Sequence, residues 1–276
     1  MQESKKTNKE NEQVKMKSRS ALHNKDRNEV KDNSPQSIKN SNREDKKIET
    51  QRSEKAISIA SESVNDYEFE EGATYTGKIK GNKRSGKGTL TWPNGDKYTG
   101  EWNNDLFEGF GVFERATGEV YEGNWKNGKL YGSAKVNYPN GYSLEVNFED
   151  DLPQGIGKEI DIDGKIYEGE FVNGNKQGKG KMTWKDGKVY EGEFHENMIH
   201  GQGKLIKSDR SSYEGGFSHG RQEGHGVYRW KDGRVYEGEF HNGKQHGVGV
   251  FISKTGESRK GKWENGKRLI WLDEIQ

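Results

Sequence analysis

The chain has 276 residues, with 46 Lys and Arg against 45 Asp and Glu, and a formal charge of +1 selects for no charged partner. Counted with Gly and without Tyr, its apolar residues come to about 37%, against roughly 45–50% in ordinary globular proteins, which is thin for a two-layer core. With no Cys there is no disulfide framework and no thiolate chemistry. No apolar run approaches the roughly 18 residues of a membrane span, and the charged N-terminus lacks the apolar stretch of a secretory signal, so a protein neither secreted nor membrane-spanning is expected.

Residues 1–66 contain no Gly and no aromatic residue, whereas all 38 Gly lie in 67–276. A stretch so poor in apolar side chains cannot offset the entropy of its own ordering, so a disordered polar tail is predicted for 1–66. Its one apolar patch, Ile57-Ser58-Ile59-Ala60 with Val64, offers a docking segment, and Ser34-Pro35 is a proline-directed phosphorylation motif. A solvated tail without specific contacts is the alternative.

From residue 67 a period of 23 residues takes over. Tyr75, Tyr98, Tyr121, Tyr167, Tyr190, Tyr213 and Tyr236 share one phase, which also passes through Leu144 and Arg259. Two residues later stands Gly in every copy except at Val146. Four residues later stands Ile79 and then always an aromatic, from Trp102 and Trp125 to Phe240 and Trp263. Gly recurs at positions eleven and thirteen, as in Gly86 and Gly88. Positions 0, 2 and 4 share one face of a strand, because side chains alternate with period two. Turns such as Asn127-Gly128 and Asp186-Gly187 separate the strands, a strong hairpin signal. The prediction is an all-β, elongated, single-layer array over 67–266 of about nine 23-residue hairpins added edge to edge. The Gly at 2, 11 and 13 are expected to clear a floor on which the rings lie. So much glycine makes each hairpin unstable alone, leaving stability to the stacking of neighbours.

The unit Tyr98-Thr99-Gly100-Glu101-Trp102, with Gly109-Phe110-Gly111 and its repetition at 23, closely resembles the MORN repeat, named for membrane occupation and recognition. The resemblance covers about 73–270. It implies a repeat scaffold; relatives that are enzymes carry a separate catalytic domain, and no residues remain here to build one.

Several patterns suggest chemistry. The run from Gly81 to Thr89 echoes a phosphate-binding loop, but Gly88 stands where Ser or Thr must follow Lys87. Asp161-Ile162-Asp163-Gly164 echoes a calcium loop without its closing Glu and reads as a turn. His195, His200, His219, His225, His241 and His246 fall in three adjacent copies and are expected along the ribbon edge, as solvated turn residues rather than a metal site, a pH-sensitive contact being the alternative. No Ser–His–Asp or paired-carboxylate arrangement stands outside the repeat register, so no catalytic residue, cofactor or metal is expected and the chain is read as no enzyme.

The register breaks in the fourth copy, which has Leu144 for Tyr, Val146 for Gly and Asp161 where other copies have Trp. Its acidic residues, among them Glu149, Asp150, Asp151, Asp161 and Asp163, suggest a bend that receives a basic partner; harmless drift is the alternative. Beyond Trp263 come Leu269, Ile270, Trp271 and Leu272, and 267–276 reads as a cap, with a helix as one form, or as a homodimer contact.

Function follows from shape. A two-faced ribbon suits a scaffold that holds several proteins at set distances. The stripe of Tyr98, Trp102, Tyr121, Trp125, Tyr167, Phe171, Tyr190, Phe194, Phe217 and Phe240 is the expected partner groove. The resemblance implies cytoplasmic, cytoskeletal assemblies of many subunits, such as the radial-spoke heads of the ciliary or flagellar axoneme or apicomplexan scaffolds. Attachment to anionic lipid is the other reading; it is disfavoured because Glu101, Glu170, Glu193 and Glu239 largely cancel Lys87, Lys179, Lys181 and Lys204. Without a basic face, nucleic acid is not expected.

Overall fold

Two consecutive residues with positive φ make a type I′ turn, whose twist matches that of the strands it joins. Among the described residues the chain builds such a turn nine times. Asn127 and Gly128 have φ of 51° and 79°, and even Asp150-Asp151 (49° and 68°) and Glu196-Asn197 (48° and 69°) adopt it. The computed structural model describes residues 62–68 and 72–272. Strand β1 (Glu62–Glu68) precedes nine hairpins: β2 (Thr74–Lys80) with β3 (Lys83–Thr91), β4 (Lys97–Asn103) with β5 (Leu106–Glu114), and β6 (Val120–Lys126) with β7 (Lys129–Asn137). There follow β8 (Ser143–Glu149) with β9 (Leu152–Ile160), β10 (Ile166–Val172) with β11 (Asn175–Thr183), and β12 (Val189–His195) with β13 (Met198–Ile206). The last are β14 (Ser212–Ser218) with β15 (Arg221–Arg229), β16 (Val235–His241) with β17 (Lys244–Ile252), and β18 (Ser258–Glu264) with β19 (Lys267–Trp271). Each strand pairs antiparallel with its chain neighbours, so one 19-stranded sheet forms an open meander.

The glycines divide their labour, and here the structure corrects the sequence reading. Those at positions 2 and 13 do clear the floor: a Cβ on Gly77 or Gly88 would lie 2.5 or 2.2 Å from the Tyr75 hydroxyl. Those at position 11 do not. Gly86, Gly109, Gly178 and Gly201 have φ between 61° and 66° and sit in a bulge. In the first hairpin Ser85, Gly86 and Lys87 together oppose Lys78, because Ile79 pairs with Arg84 while Gly77 pairs with Gly88. A Cβ on Gly109 would meet the Glu101 carboxylate on the opposite face, away from the rings.

The bulge explains the tyrosine. It interrupts the ladder beside position 3, and the ring at position 0 lies along its own strand to reach that carbonyl. Tyr75 donates to the Lys78 carbonyl (3.0 Å), Tyr167 to that of Glu170 (2.8 Å) and Tyr190 to that of Glu193 (3.0 Å). The aromatic at position 4 then closes over the tyrosines edge-on: Phe194 lies 4.9 Å from Tyr167 and 5.4 Å from Tyr190. Copies are also tied at the tight turns, where the Gly128 N–H donates to the Phe107 carbonyl and that of Gly243 to Gln222.

Both ends differ from expectation. Glu62–Glu68 is a strand, so 62–66 belongs to the sheet rather than the tail. Val64 packs against the core, and β1 covers the edge of β2. The remainder of the expected tail, with Ile57–Ala60 and Ser34-Pro35, lies outside the described residues. At the other end Lys267–Trp271 is a strand and not a helix, because the Asn265-Gly266 turn folds it back onto β18. Trp271 covers Trp263 at 6.0 Å and is flanked by Arg259 and Arg268; residues 273–276 lie outside the described residues.

Candidate functional site

The ten rings expected to line a groove form the core instead. Tyr98 and Tyr190 are fully buried, Trp102, Tyr121, Trp125, Tyr167, Phe171 and Phe194 nearly so, and Phe217, at 5% exposure, is the most open of them. The same copy and the next close over the ring: Phe107 and Trp102 of its own copy meet Tyr98, the first stacked at 3.7 Å and the second edge-on, and Trp125 of the following copy meets it edge-on. Buried to this degree, the ten rings do not form an open groove.

The fourth copy keeps the register of its neighbours. Val146 pairs with Ala134, and a Cβ on Gly157 would lie 2.5 Å from the Val146 Cβ, so aliphatic bulk replaces the missing ring without a break. Its acids are largely engaged within the chain. Asp151 accepts the Leu130 N–H (2.8 Å), Asp150 pairs with Lys129, and Asp161 accepts two loop N–H groups and the Lys165 ammonium. Asp163 pairs with the same lysine, while Glu149 is exposed. Glu159, another acid of this copy, is buried against the Lys176 ammonium at 2.6 Å, with the Tyr142 hydroxyl donating at 3.3 Å. Burial first, and then the charge of Glu159, raise the Tyr142 phenol well above its ordinary range.

The histidines gather more closely than expected. His200 lies 5.8 Å from His195 and 6.0 Å from His219, and His241 lies 5.7 Å from His246 with its Nδ1 2.9 Å from Glu223. Among the described residues no group of three donors converges on a metal position. The run from Gly81 to Thr89 is a tight turn and bulge of the sheet, and Asp161–Gly164 a loop closed by its own backbone.

The face opposite the core carries what the sequence reading missed. Glu122, Lys135, Glu145, Lys158, Glu168, Lys181, Glu191, Lys204 and Glu214 stand in register on nine successive strands, β6 to β14, each exposed. The file alternates in sign at every step, spanning roughly 38 Å at about 4.8 Å per strand. The ion pairs along it are loose, 3.5 Å for Lys158–Glu168 and 3.4 Å for Lys204–Glu214. A depression of about 790 Å³ opens over its C-terminal half, floored by the backbone of Gly180, Gly192, Gly203 and Gly215. The signal was legible: Glu recurs at position 1 and Lys at position 14, which the hairpin register places side by side.

The MORN repeat model matches residues 75–97, 98–120, 121–141, 147–166, 167–189, 190–212, 213–233 and 236–258. The chain belongs to the MORN repeat family. Among curated proteins none matches this MORN chain. Similar solved structures include the wild-type TCP10 domain of Danio rerio CPAP, with 11% identity, coverage of 75% of this chain and 99% of that one, and a TM-score of 0.41. Another is the SAS-4 TCP domain of Drosophila melanogaster in complex with a proline-rich motif of Ana2, with 10% identity, coverage of 81% and 99%, and a TM-score of 0.29. Neither score bears on function.

Proposed function

We propose that this MORN protein is a non-enzymatic scaffold that binds protein partners on its charged face, within a cytoskeletal assembly such as a ciliary or flagellar axoneme. The alternating file carries the reading. Signs that change every 4.8 Å or so cancel within about one Debye length, so the file draws little to a uniformly anionic surface from afar. At contact the same file discriminates sharply, because a partner shifted by one strand meets like charges. The expected axonemal and radial-spoke placement rests on family resemblance. Multi-subunit assembly, and pairing of two copies through Leu269 and Ile270 on β19 with Leu272 just after it, belong to the same proposal; those three side chains are 57%, 56% and 48% exposed.

The test is detergent extraction of cells expressing the tagged full chain. Retention with the cytoskeletal pellet is expected, and replacement of Lys135, Lys158, Lys181 and Lys204 by Glu is expected to release the protein. Release of the unaltered chain with the lipids would overturn the scaffold in favour of membrane attachment.

A further inference from the structure

On the core face, copies of the repeat differ in how they close over a half-buried tryptophan. Trp92 is met by Phe107 of the next copy at 6.2 Å, and Ile199 holds the corresponding position after Trp184. After Trp230 that position is Gln245, and in the copy before it Gln222. A slot of about 210 Å³ remains, bounded by Trp230, Tyr228, Phe240, Gln245, Lys207 and Lys244.

The chain itself shows what such a place accepts. One carboxylate, Glu159, already sits on this face against an ammonium (Lys176), a phenol (Tyr142) and a ring (Tyr167), which the same ammonium overlies at 5.1 Å. The slot repeats these parts without the acid. The Lys207 ammonium donates to the Tyr228 hydroxyl at 3.1 Å and lies 4.8 Å from that ring. Among the described residues, neither Lys207 nor Lys244 has a carboxylate within 4.0 Å. The nearby acids are occupied: Asp232 is bound by Arg234 at 2.9 Å, and Asp209 accepts both the hydroxyl and the N–H of Ser211.

We infer that this slot binds an acidic linear segment of a partner protein, seating one Asp or Glu carboxylate between Lys207 and Lys244 and an adjacent apolar side chain on Trp230. Two cations without an acid, beside the half-buried Trp230 ring, which the Arg234 guanidinium overlies at 5.1 Å, complement that chemistry and disfavour a basic or purely apolar segment. Gln222 and Gln245 supply amides for the segment's backbone. The inference rests on the scaffold reading and names the chemistry of one partner, on the face opposite the charged file.

The probe is a displayed random dodecapeptide library panned on the immobilised full chain, with the Lys207→Ala/Lys244→Ala chain as counter-selection. Enriched peptides are expected to join Asp or Glu to Leu, Phe or Trp. By calorimetry they are expected to lose about tenfold or more in affinity when their acids become amides, and similarly against the double variant. Gln245→Ile, which closes the slot as in the sixth copy, is expected to abolish binding while the thermal midpoint holds. Panning that yields no acidic–apolar peptide, or winners that bind the double variant equally, would overturn the inference. Pellet retention in the extraction experiment is read separately, so loss of the slot and loss of the scaffold reading are distinguishable.

Discussion

At the scale of single residues, the structure turns on hydroxyls and backbone angles. The phase-zero side chain is tyrosine rather than phenylalanine because its hydroxyl serves a carbonyl that the bulge leaves without a ladder partner. Tyr190→Phe should therefore cost about 1 kcal/mol, read as a lowered thermal midpoint with unchanged circular dichroism at room temperature. Burial, with the Glu193 charge opposing the hydrogen bond to its backbone, pushes Tyr190 up to about 12, and burial followed by the Glu239 charge does the same for Tyr236. A raised phenol favours the neutral form in the folded state. Stability from these groups is whole below the ordinary value of 10 and is lost as pH climbs from there through about 12; absorbance at 295 nm should show these two phenolates forming around pH 12 rather than near 10. Glu196 holds a left-handed angle that suits Asn better, so Glu196→Asn should stabilise by about 1 kcal/mol.

At the scale of the hairpin, two glycines that look alike in sequence fail for different reasons. Gly178 has a φ of 66° and its Cβ would meet only the end of the flexible Glu170 side chain, whereas a Cβ on Gly180 would lie 2.5 Å from the Tyr167 ring. Asn tolerates the left-handed region, so Gly178→Asn should cost less than about 1 kcal/mol, while Gly180→Asn displaces the ring and should cost about 1–3 kcal/mol or more. Equal losses in melting temperature would show that space and not angle governs both. The strands of the repeats from β2 to β18, the turns and the period were legible from alternation and the Asn-Gly dipeptides. The bulge was not, because a parity count assigns position 11 to the ring face and only the paired backbone shows the phase slipping. Nor was β19 recognisable as a strand, since it has five residues, too few for alternation to speak.

For the molecule as a whole, the fold was legible, and of the two sites only the alternating file left a signal in the sequence, as Glu at position 1 and Lys at position 14. An aromatic stripe looks like a groove when the second half of each repeat is left out of the reading. In three dimensions residues such as Phe107 and Leu130 return over the rings, and what stays exposed is the alternating file and the slot beside Trp230. Both depend on register between copies, which becomes visible only when hairpins are laid side by side. The file also predicts a salt response: partner release should be gradual between about 50 and 300 mM salt, since exposed pairs are each worth about 0–1 kcal/mol and are screened together. Release at one sharp threshold, seen by gradient elution from a partner column, would point to a single dominant contact.

The uniform 23-residue spacing makes the protein a graduated rule. Two strands advance each copy by roughly 9.6 Å, so equivalent grips on different copies stand at whole multiples of that step, before twist. Deleting one complete unit, for instance 190–212, rejoins matched halves and should move the ends closer by one graduation while each tight turn still finds the carbonyl of the copy before it. Removing one residue fewer would leave every mark beyond the cut out of line. Lengthening or shortening such a protein in whole units changes what it can reach without changing how it folds.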